Sequence, residues 1–410
     1  MRPMETKTQC CIAGGGPAGM MLGVLLARAG VKVLVLEKHA DFLRDFRGDT
    51  IHPSTMEVIH ELGWLDEFQK LPHQPVHNFS AQFGSIRLKV ADFSHLNVRA
   101  PFIAMMPQWD FLNFLAEKGR QYPNFAVRME TEATDLITDE GRVKGVIAMT
   151  ASGREDIAAD LVVAADGRGS TLRARAGLAP EDFGVPLDVL WFGLPRHTSD
   201  TDQTQGRFDA GRIFIMLNRG DYWQCAFVIP KGENAHIRAL GLTAFRASVA
   251  SLLPIEATRA EAITDWDQVK LLTVKVDRLK EWAKPGLLCI GDAAHAMSPV
   301  GGVGINLAIQ DAVAAANVLA LPLRENRLTF SDLERVQARR DFPTRMTQRL
   351  QLAMQNSIIA PALASKGALK PPLAIRLISG IPGLNRIPAR IMGLGVRPEH
   401  VAPFIRAAQG

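Results

Sequence analysis

The sequence predicts a mixed α/β fold, α+β overall. A parallel sheet with covering helices is interrupted by a mainly antiparallel β-sheet and followed by a helical C-terminal region. Three observations predict it. An apolar strand, a glycine turn and a helix open the chain, and a second strand follows at once. From about residue 183 the texture changes to aromatic-rich strands separated by turn residues. At 286–292 a short, wholly apolar strand returns, ahead of a second glycine loop and an Ala-rich helix. The expected units are therefore discontinuous: 1–75, 107–182 and 284–330 form the first, 76–106 and 183–283 the inserted second, and 331–410 the last.

The first strand spans Gln9–Ala13 and runs into Gly14-Gly15-Gly16-Pro17-Ala18-Gly19. A helical pattern follows (Met20, Met21, Val24, Leu25, Arg28) and stops at Gly30. The second strand, Val31–Leu36, ends in Glu37. A loop rich in Arg and Asp, 41–53, leads to a helix with Ser54 as its expected cap and Glu57 three residues on. Residues 76–106 read as short extended segments. An amphipathic helix starts at Pro107-Gln108-Trp109-Asp110 and runs to about Gln121. Strands are expected at 125–130, 142–149 and 160–165, the last running into Asp166-Gly167-Arg168-Gly169-Ser170. In the insertion they are expected at Val189–Leu194, Arg212–Leu217, Tyr222–Ile229 and Val269–Val276. A helix is expected over 305–320, and the region past 331 reads as helical, then loop-rich with several prolines.

Composition excludes several classes. With 47% hydrophobic and 22% charged residues in 410, the chain is neither disordered, collagenous nor a disulfide-built miniprotein. The net charge of +5 sits in the tail. Residues 361–410 hold seven Lys/Arg against Glu399 alone, leaving 40 of the 47 basic and 41 of the 42 acidic side chains in the first 360 residues. That argues against nucleic acid as a partner. The tail's cations show no clear amphipathic period and read as solvated surface or as packing against the first domain. The four cysteines, Cys10, Cys11, Cys225 and Cys289, have no zinc spacing and read as small buried hydrophobes. The N-terminal MRPMETKTQ lacks a signal-peptide apolar region, and no membrane span is expected, so the expected location is cytoplasmic.

Gly14-x-Gly16-x-x-Gly19 stands in its strand–turn–helix setting, with Glu37 eighteen positions past Gly19. This is a Rossmann-like fingerprint. Gly14 permits the tight turn, Gly16 lets backbone approach a pyrophosphate, and Gly19 lets helix and strand pack closely. The helix N-terminus offers free N–H groups to phosphate, and Glu37 accepts ribose hydroxyls. An acid there repels a 2′-phosphate, so the nucleotide is FAD or NAD rather than NADP. A second set is Gly291-Asp292-Ala293-Ala294-His295 followed by Pro299-x-Gly301-Gly302-x-Gly304-x-Asn306, again a strand end, an acid and a glycine loop feeding a helix. Asp166-Gly167 at the end of an apolar strand is an ordinary turn by itself and gains weight from the other two.

In that order, the three sets resemble the single-component FAD-dependent aromatic hydroxylases, the group typified by para-hydroxybenzoate hydroxylase, over roughly residues 8–325. The resemblance implies that Gly14, Gly16, Pro17, Ala18, Gly19, Glu37 and Lys38 hold the ADP half of FAD. It implies an arginine near the flavin or pyrophosphate, Arg47 with Arg44 as competitor. It places Gln108 on the flavin side, Asp166 by FAD and the nicotinamide approach, and Asp292 by the ribityl chain or pyrophosphate. Gly304, Ile305 and Asn306 would offer backbone groups to the isoalloxazine ring. NAD(P)H would reduce FAD without a second dinucleotide fold. A C4a-hydroperoxyflavin formed with O2 would then hydroxylate an apolar aromatic or polycyclic small molecule, with Pro299 and residues 301–304 as the wall beneath. No metal is implied, and a homodimer is left open.

No catalytic base is assigned. His52, in Thr50-Ile51-His52-Pro53, stands ahead of Tyr222, Arg212 and His295 as a candidate. Trp191, Phe192, Phe214, Met216, Trp223, Phe227 and Met105-Met106 are either pocket surface or plain core. The alternative activity is an FAD-dependent reductase or dehydrogenase on the same fold. A flavin halogenase ranks below it, since the W-x-W-x-I-P pattern of that group is absent and Trp223 stands six residues before Ile229-Pro230. A non-enzymatic protein using the basic tail is the remaining contrast.

Overall fold

Thr6–Ala13 is apolar on both faces from Cys10 onward, and such a strand needs cover on both sides. It lies inside a parallel sheet whose order is Leu287–Cys289, Gly153–Ala164, Thr6–Ala13, Val33–Leu36 and Phe125–Arg128. The computed structural model describes residues 6–43, 50–201, 204–367 and 369–408. Register brings the strand ends level: Ala13 pairs with both Ala164 and Leu36, and Ala164 with Cys289. Four carboxyl ends therefore share one edge.

The strand expected at 125–130 stops at Arg128, because Glu130 takes a left-handed φ of 50° and turns the chain. Residues Glu132–Asp139 then form a strand that the sequence reading does not contain. It is half-exposed and polar, and it pairs with Arg142–Thr150, which pairs in turn with the first half of Gly153–Ala164. The helix expected to be capped by Ser54 is Pro53–Glu61. Pro53 takes its first position, His52 is the cap residue, and Ser54 is buried in the first turn without a capping bond.

Among the described residues the inserted sheet has seven strands, in the order Lys270–Leu272, Leu187–Pro195, Tyr222–Pro230, Arg212–Asn218, Gln205–Asp209, Asn78–Phe83 and Ile86–Asp92. The last two come from the early extended stretch. The expected strand Val269–Val276 is cut short, because the Asp188 carboxylate takes the Val274 N–H at 3.0 Å and removes it from the ladder. The aromatics divide by face. Phe192, Phe214, Trp223 and Phe227 are buried with Phe245 of helix Leu242–Ala250, so on this face the core reading holds and the pocket reading fails. Trp191 points the other way, into a cluster shared with Ile215, Ile359, Ala362 and Val300.

Helices Pro17–Arg28 and Gly304–Arg324 cover one face of the parallel sheet and pack on each other. The second, counted from Val300, is long and apolar enough to cross a membrane by length and composition alone. Its most apolar window is 78% buried inside the fold, as the core helix of a globular protein would be. Helix Phe330–Met354 packs beside it. The basic tail corrects the sequence reading as well: it forms two amphipathic helices, Leu373–Gly380 and Arg386–Leu394. All four cysteines are free and buried, and burial pushes the Cys11 and Cys289 thiols up to about 12.

The tightest approach in the opening unit is at Gly19, where a Cβ would stand 2.0 Å from the Gly14 carbonyl oxygen. Gly19→Val is expected to lower stability by about 3 kcal/mol, read as a lower urea midpoint at unchanged m-value.

Candidate active site

Ligands of open parallel sheets bind beyond the carboxyl ends of the strands. Here four turns leave that edge side by side. Gly14 N–H donates to the Leu36 carbonyl at 2.8 Å, Ala165 N–H to Ala13 at 2.8 Å, and Ile290 N–H to Ala164 at 3.0 Å. The segments after them are Gly14–Gly19, Glu37, Asp166–Ser170 and Gly291–Asp292. Gly14, at φ 107°, lies against the next turn so closely that a Cβ would stand 2.3 Å from Ala165 O. Gly291, at φ 58°, meets the opening helix, where its Cβ would lie 3.1 Å from that of Ala18. The two glycine turns, some 275 residues apart in sequence, thus converge on one cleft.

Ion pairs hold the turns in place. Arg168 reaches Asp292 at 3.5 Å. Buried Arg173 donates to the Ala293 carbonyl at 3.0 Å and to the Arg168 carbonyl at 2.8 Å, joining the Asp166 turn to the Asp292 turn. Asp311, fully buried on the Gly304 helix, accepts from Gly291 N–H at 3.1 Å, meets His295 Nε2 at 2.6 Å, and accepts from Arg340 at 2.9 Å. Burial alone would raise the Asp311 carboxyl, but the charges and hydrogen bonds of His295 and Arg340 outweigh it and hold it below the usual carboxylate range.

A second junction centres on Asn306. Its carbonyl oxygen accepts from His52 N–H at 2.8 Å and from the Thr55 hydroxyl at 2.7 Å. Its amide donates to the Thr50 and Gly302 carbonyls at 3.1 and 3.4 Å. The Thr50 hydroxyl donates to Gly302 at 2.7 Å. Gly301 and Gly302 are both left-handed (φ 81° and 62°), and a Cβ on Gly302 would meet Thr50 at 2.5 Å. The loop at 299–302 is thereby pinned to the strand Thr50–Ile51.

The cleft is fit to hold a dinucleotide. Neither the helix after Gly16 nor the one after Val303 carries a side-chain cap among the described residues or a first-turn acid, so their leading N–H groups are open to a ligand in the cleft. A Cβ at Gly16 would meet nothing within 4 Å. One carboxylate oxygen of Asp166 accepts from Leu172 N–H at 3.2 Å; the other is buried with no partner among the described residues. Glu37 is buried, with one oxygen 3.0 Å from Gly15 N–H and the other 2.6 Å from the His39 ring.

Of the residues expected from sequence, Gly14, Gly16, Pro17, Ala18, Gly19, Glu37, Asp166, Asp292, Gly304, Ile305 and Asn306 lie on these turns and helix starts. Gln108 begins helix Gln108–Arg120 and makes no side-chain hydrogen bond among the described residues. Lys38 is half-exposed and pairs with Glu132 at 4.0 Å, away from the cluster. Arg47 and Arg44 lie outside the described residues. His52 is not poised as a base. It is fully buried, its Nδ1 is 2.7 Å from the Met392 carbonyl, and burial lowers it to about 4 against the pull of backbone contacts to Met392 and Gly302. His295 is spent on Asp311, and Arg212 on Ser251 at 2.7 Å. Asp311, Arg173 and Arg340 were missed. A lone Asp at the end of an uncharged helical stretch was their one visible sign in the sequence.

Comparison with known proteins adds to this geometry. The family model described as FAD binding domain matches residues 7–349. The chain is 31% identical over 388 residues to 6-methylpretetramide 4-monooxygenase of Streptomyces rimosus, covering 94% of this chain and 92% of that one. Among solved structures it superposes on p-nitrophenol 4-monooxygenase PnpA of Pseudomonas putida DLL-E4 with a TM-score of 0.76 at 20% identity, covering 94% and 97% of the two chains. PqsL of Pseudomonas aeruginosa, in complex with 2-aminobenzoylacetate, gives 0.75 at 22% identity, covering 88% and 99%. These two likenesses show the fold.

The burial of His52 has a measurable consequence. Its contribution to stability is present above pH 6.5 and is lost as pH falls toward about 4, because the unfolded chain takes up the proton first. His52→Gln, which keeps a donor for Met392 but cannot titrate, is expected to flatten the stability–pH curve in that window by up to about 3 kcal/mol. Denaturant titrations at several pH values would check it.

Proposed function

The chain belongs to the FAD-dependent aromatic hydroxylase family, an NAD(P)H-dependent flavoprotein monooxygenase, and from that premise we propose that its substrate is a flat phenol of several fused rings. The observation that carries this reading is similarity over nearly the whole chain to an enzyme named for a pretetramide. The face of the inserted sheet that holds Trp191 supports it. Trp191 and Ile215 are only partly buried there, beside Val300 of the glycine loop, and the indole N–H of Trp191 is itself buried with no partner among the described residues. An apolar wall with one free donor suits a broad ring system carrying an oxygen.

In this reading Gly14, Gly16, Pro17, Ala18, Gly19 and Glu37 hold the adenosine and pyrophosphate end of FAD, with the opening helix directed at the phosphates. Asp166 and Asp292 hold the middle, and the start of the Gly304 helix faces the ring. Bound FAD supplies hydride acceptance from NAD(P)H and the activation of O2. The protein supplies position. The Gly304 helix start favours negative charge on the ring edge beside it. The 299–302 loop, fixed by Asn306 and Thr50, walls off water on the side where substrate sits. Trp191 orients the substrate by donating to its oxygen. We keep the three-part division: cofactor unit, inserted substrate sheet and C-terminal region.

The purified protein is expected to be yellow. Fused-ring phenols should stimulate NAD(P)H oxidation at least about tenfold more than one-ring phenols, with labelled dioxygen entering the product. Equal stimulation by one-ring phenols would contradict the substrate reading. Trp191→Phe should raise KM about tenfold, the worth of one lost hydrogen bond, while FAD content stays unchanged.

A further inference from the structure

Two short helices of the tail, Leu373–Gly380 and Arg386–Leu394, stand on the strand Ile86–Asp92 of the inserted sheet. Each is anchored by a few small or inward residues. In the first only Ile375 is buried; in the second, Ala389 and Gly393. Gly393 sits so close to Phe93, Leu96 and Pro53 that a Cβ would lie 2.9–3.3 Å from them. The outward sides carry Leu373, Leu377, Ile381, Ile387 and Ile391, each 40% to 68% exposed. Leu373 and Leu377, like Ile387 and Ile391, are one helical turn apart and so share a face. A run of exposed large aliphatics of this kind is uncommon on a freely soluble surface.

Charge identifies what would cover it. Between Asp341 and Glu399 the sequence has no acidic residue and eight basic ones. Of these, Lys366, Lys370, Arg376, Arg386 and Arg390 are exposed around the apolar stripe and have no acidic partner among the described residues. A second copy of this chain would bring the same cations against themselves, and like charges would oppose that contact. A surface that is apolar below and anionic above satisfies both features at once, with aliphatics entering the acyl boundary and cations meeting head groups.

We propose that these two helices dock the enzyme on the surface of an anionic lipid bilayer. The attachment is peripheral and electrostatic. It also bears on the site, because Met392 on the second helix gives its carbonyl to His52, whose N–H is held by Asn306. The docked face is therefore tied to the loop at the cofactor cleft. The proposal rests on the surface alone and does not depend on the substrate reading.

The test is flotation of the yellow, full-length holoenzyme with vesicles of phosphatidylcholine containing phosphatidylglycerol, against phosphatidylcholine alone, at about 50 mM and about 500 mM salt. Recovery with anionic vesicles at low salt is expected, falling at least about tenfold at high salt and with neutral vesicles. Two remote double variants, Leu373→Ser/Leu377→Ser and Arg386→Glu/Arg390→Glu, should each lose the recovery while keeping FAD content and thermal midpoint. Absence of recovery with anionic vesicles at low salt would overturn the proposal, as would recovery undiminished in both variants. Sedimentation velocity supplies the other decisive outcome. A wild-type dimer that Leu373→Ser/Leu377→Ser dissociates, without lipid recovery, would assign the face to a second copy and overturn the proposal.

Discussion

The cleft depends on one buried carboxylate. Asp311 sits without solvent on the helix that starts at the second glycine loop, and it serves three parts of the chain at once. It fixes the backbone at Gly291, holds the His295 ring beneath that turn, and takes the guanidinium of Arg340 from the following helix. Arg340 in turn lies 3.8 Å from Glu399 near the C-terminus, which Arg339 also holds. An anion without water is tolerated only when its partners replace the lost hydration, and here they do. Remove that balance and Asp292 has no fixed place from which to meet a ligand.

The remaining geometry follows from strand ends drawn level. Parallel pairing aligns Leu36, Ala13, Ala164 and Cys289, so the residues just after each necessarily share an edge. Glycines at 14, 19 and 291 let backbones approach where a side chain would collide. The other junction has a different character. Asn306 uses both its donors and both acceptor positions on four neighbours, and this rigid polar knot supports the wall facing the substrate side.

Much of this was legible beforehand, for identifiable reasons. Fully apolar strands and glycine turns announce themselves locally, so the opening unit, the return of the parallel sheet at 287–289 and the antiparallel insertion could be read. What escaped were features set by partners far away in the chain. The strand 132–139 is polar because one side is wet, which leaves little periodicity to find. Ser54 looked like a cap, yet Pro53 claimed the first helical position. Asn306 was expected to offer a backbone group, and its side chain proved to be the clamp. Trp191, Phe192, Phe214 and Trp223 were all left open between pocket surface and core; alternation puts the last three on the face covered by the Phe245 helix, while Trp191 faces the other way. Sequence reveals that a strand alternates; only packing reveals which side is inside.

The central strand Gly153–Ala164 joins two kinds of pairing, antiparallel to its own hairpin in its first half and parallel to Thr6–Ala13 over most of its length. A nascent chain emerging from the ribosome therefore cannot finish the N-terminal sheet until about half of the first 300 residues have been made. The outermost inner strand, the covering helix and the Arg340–Glu399 lock arrive later still. The cleft is thus complete only once Asp292 and Asp311 have joined the earlier turns, and the apolar N-terminal strands lack their neighbours until those distant segments appear.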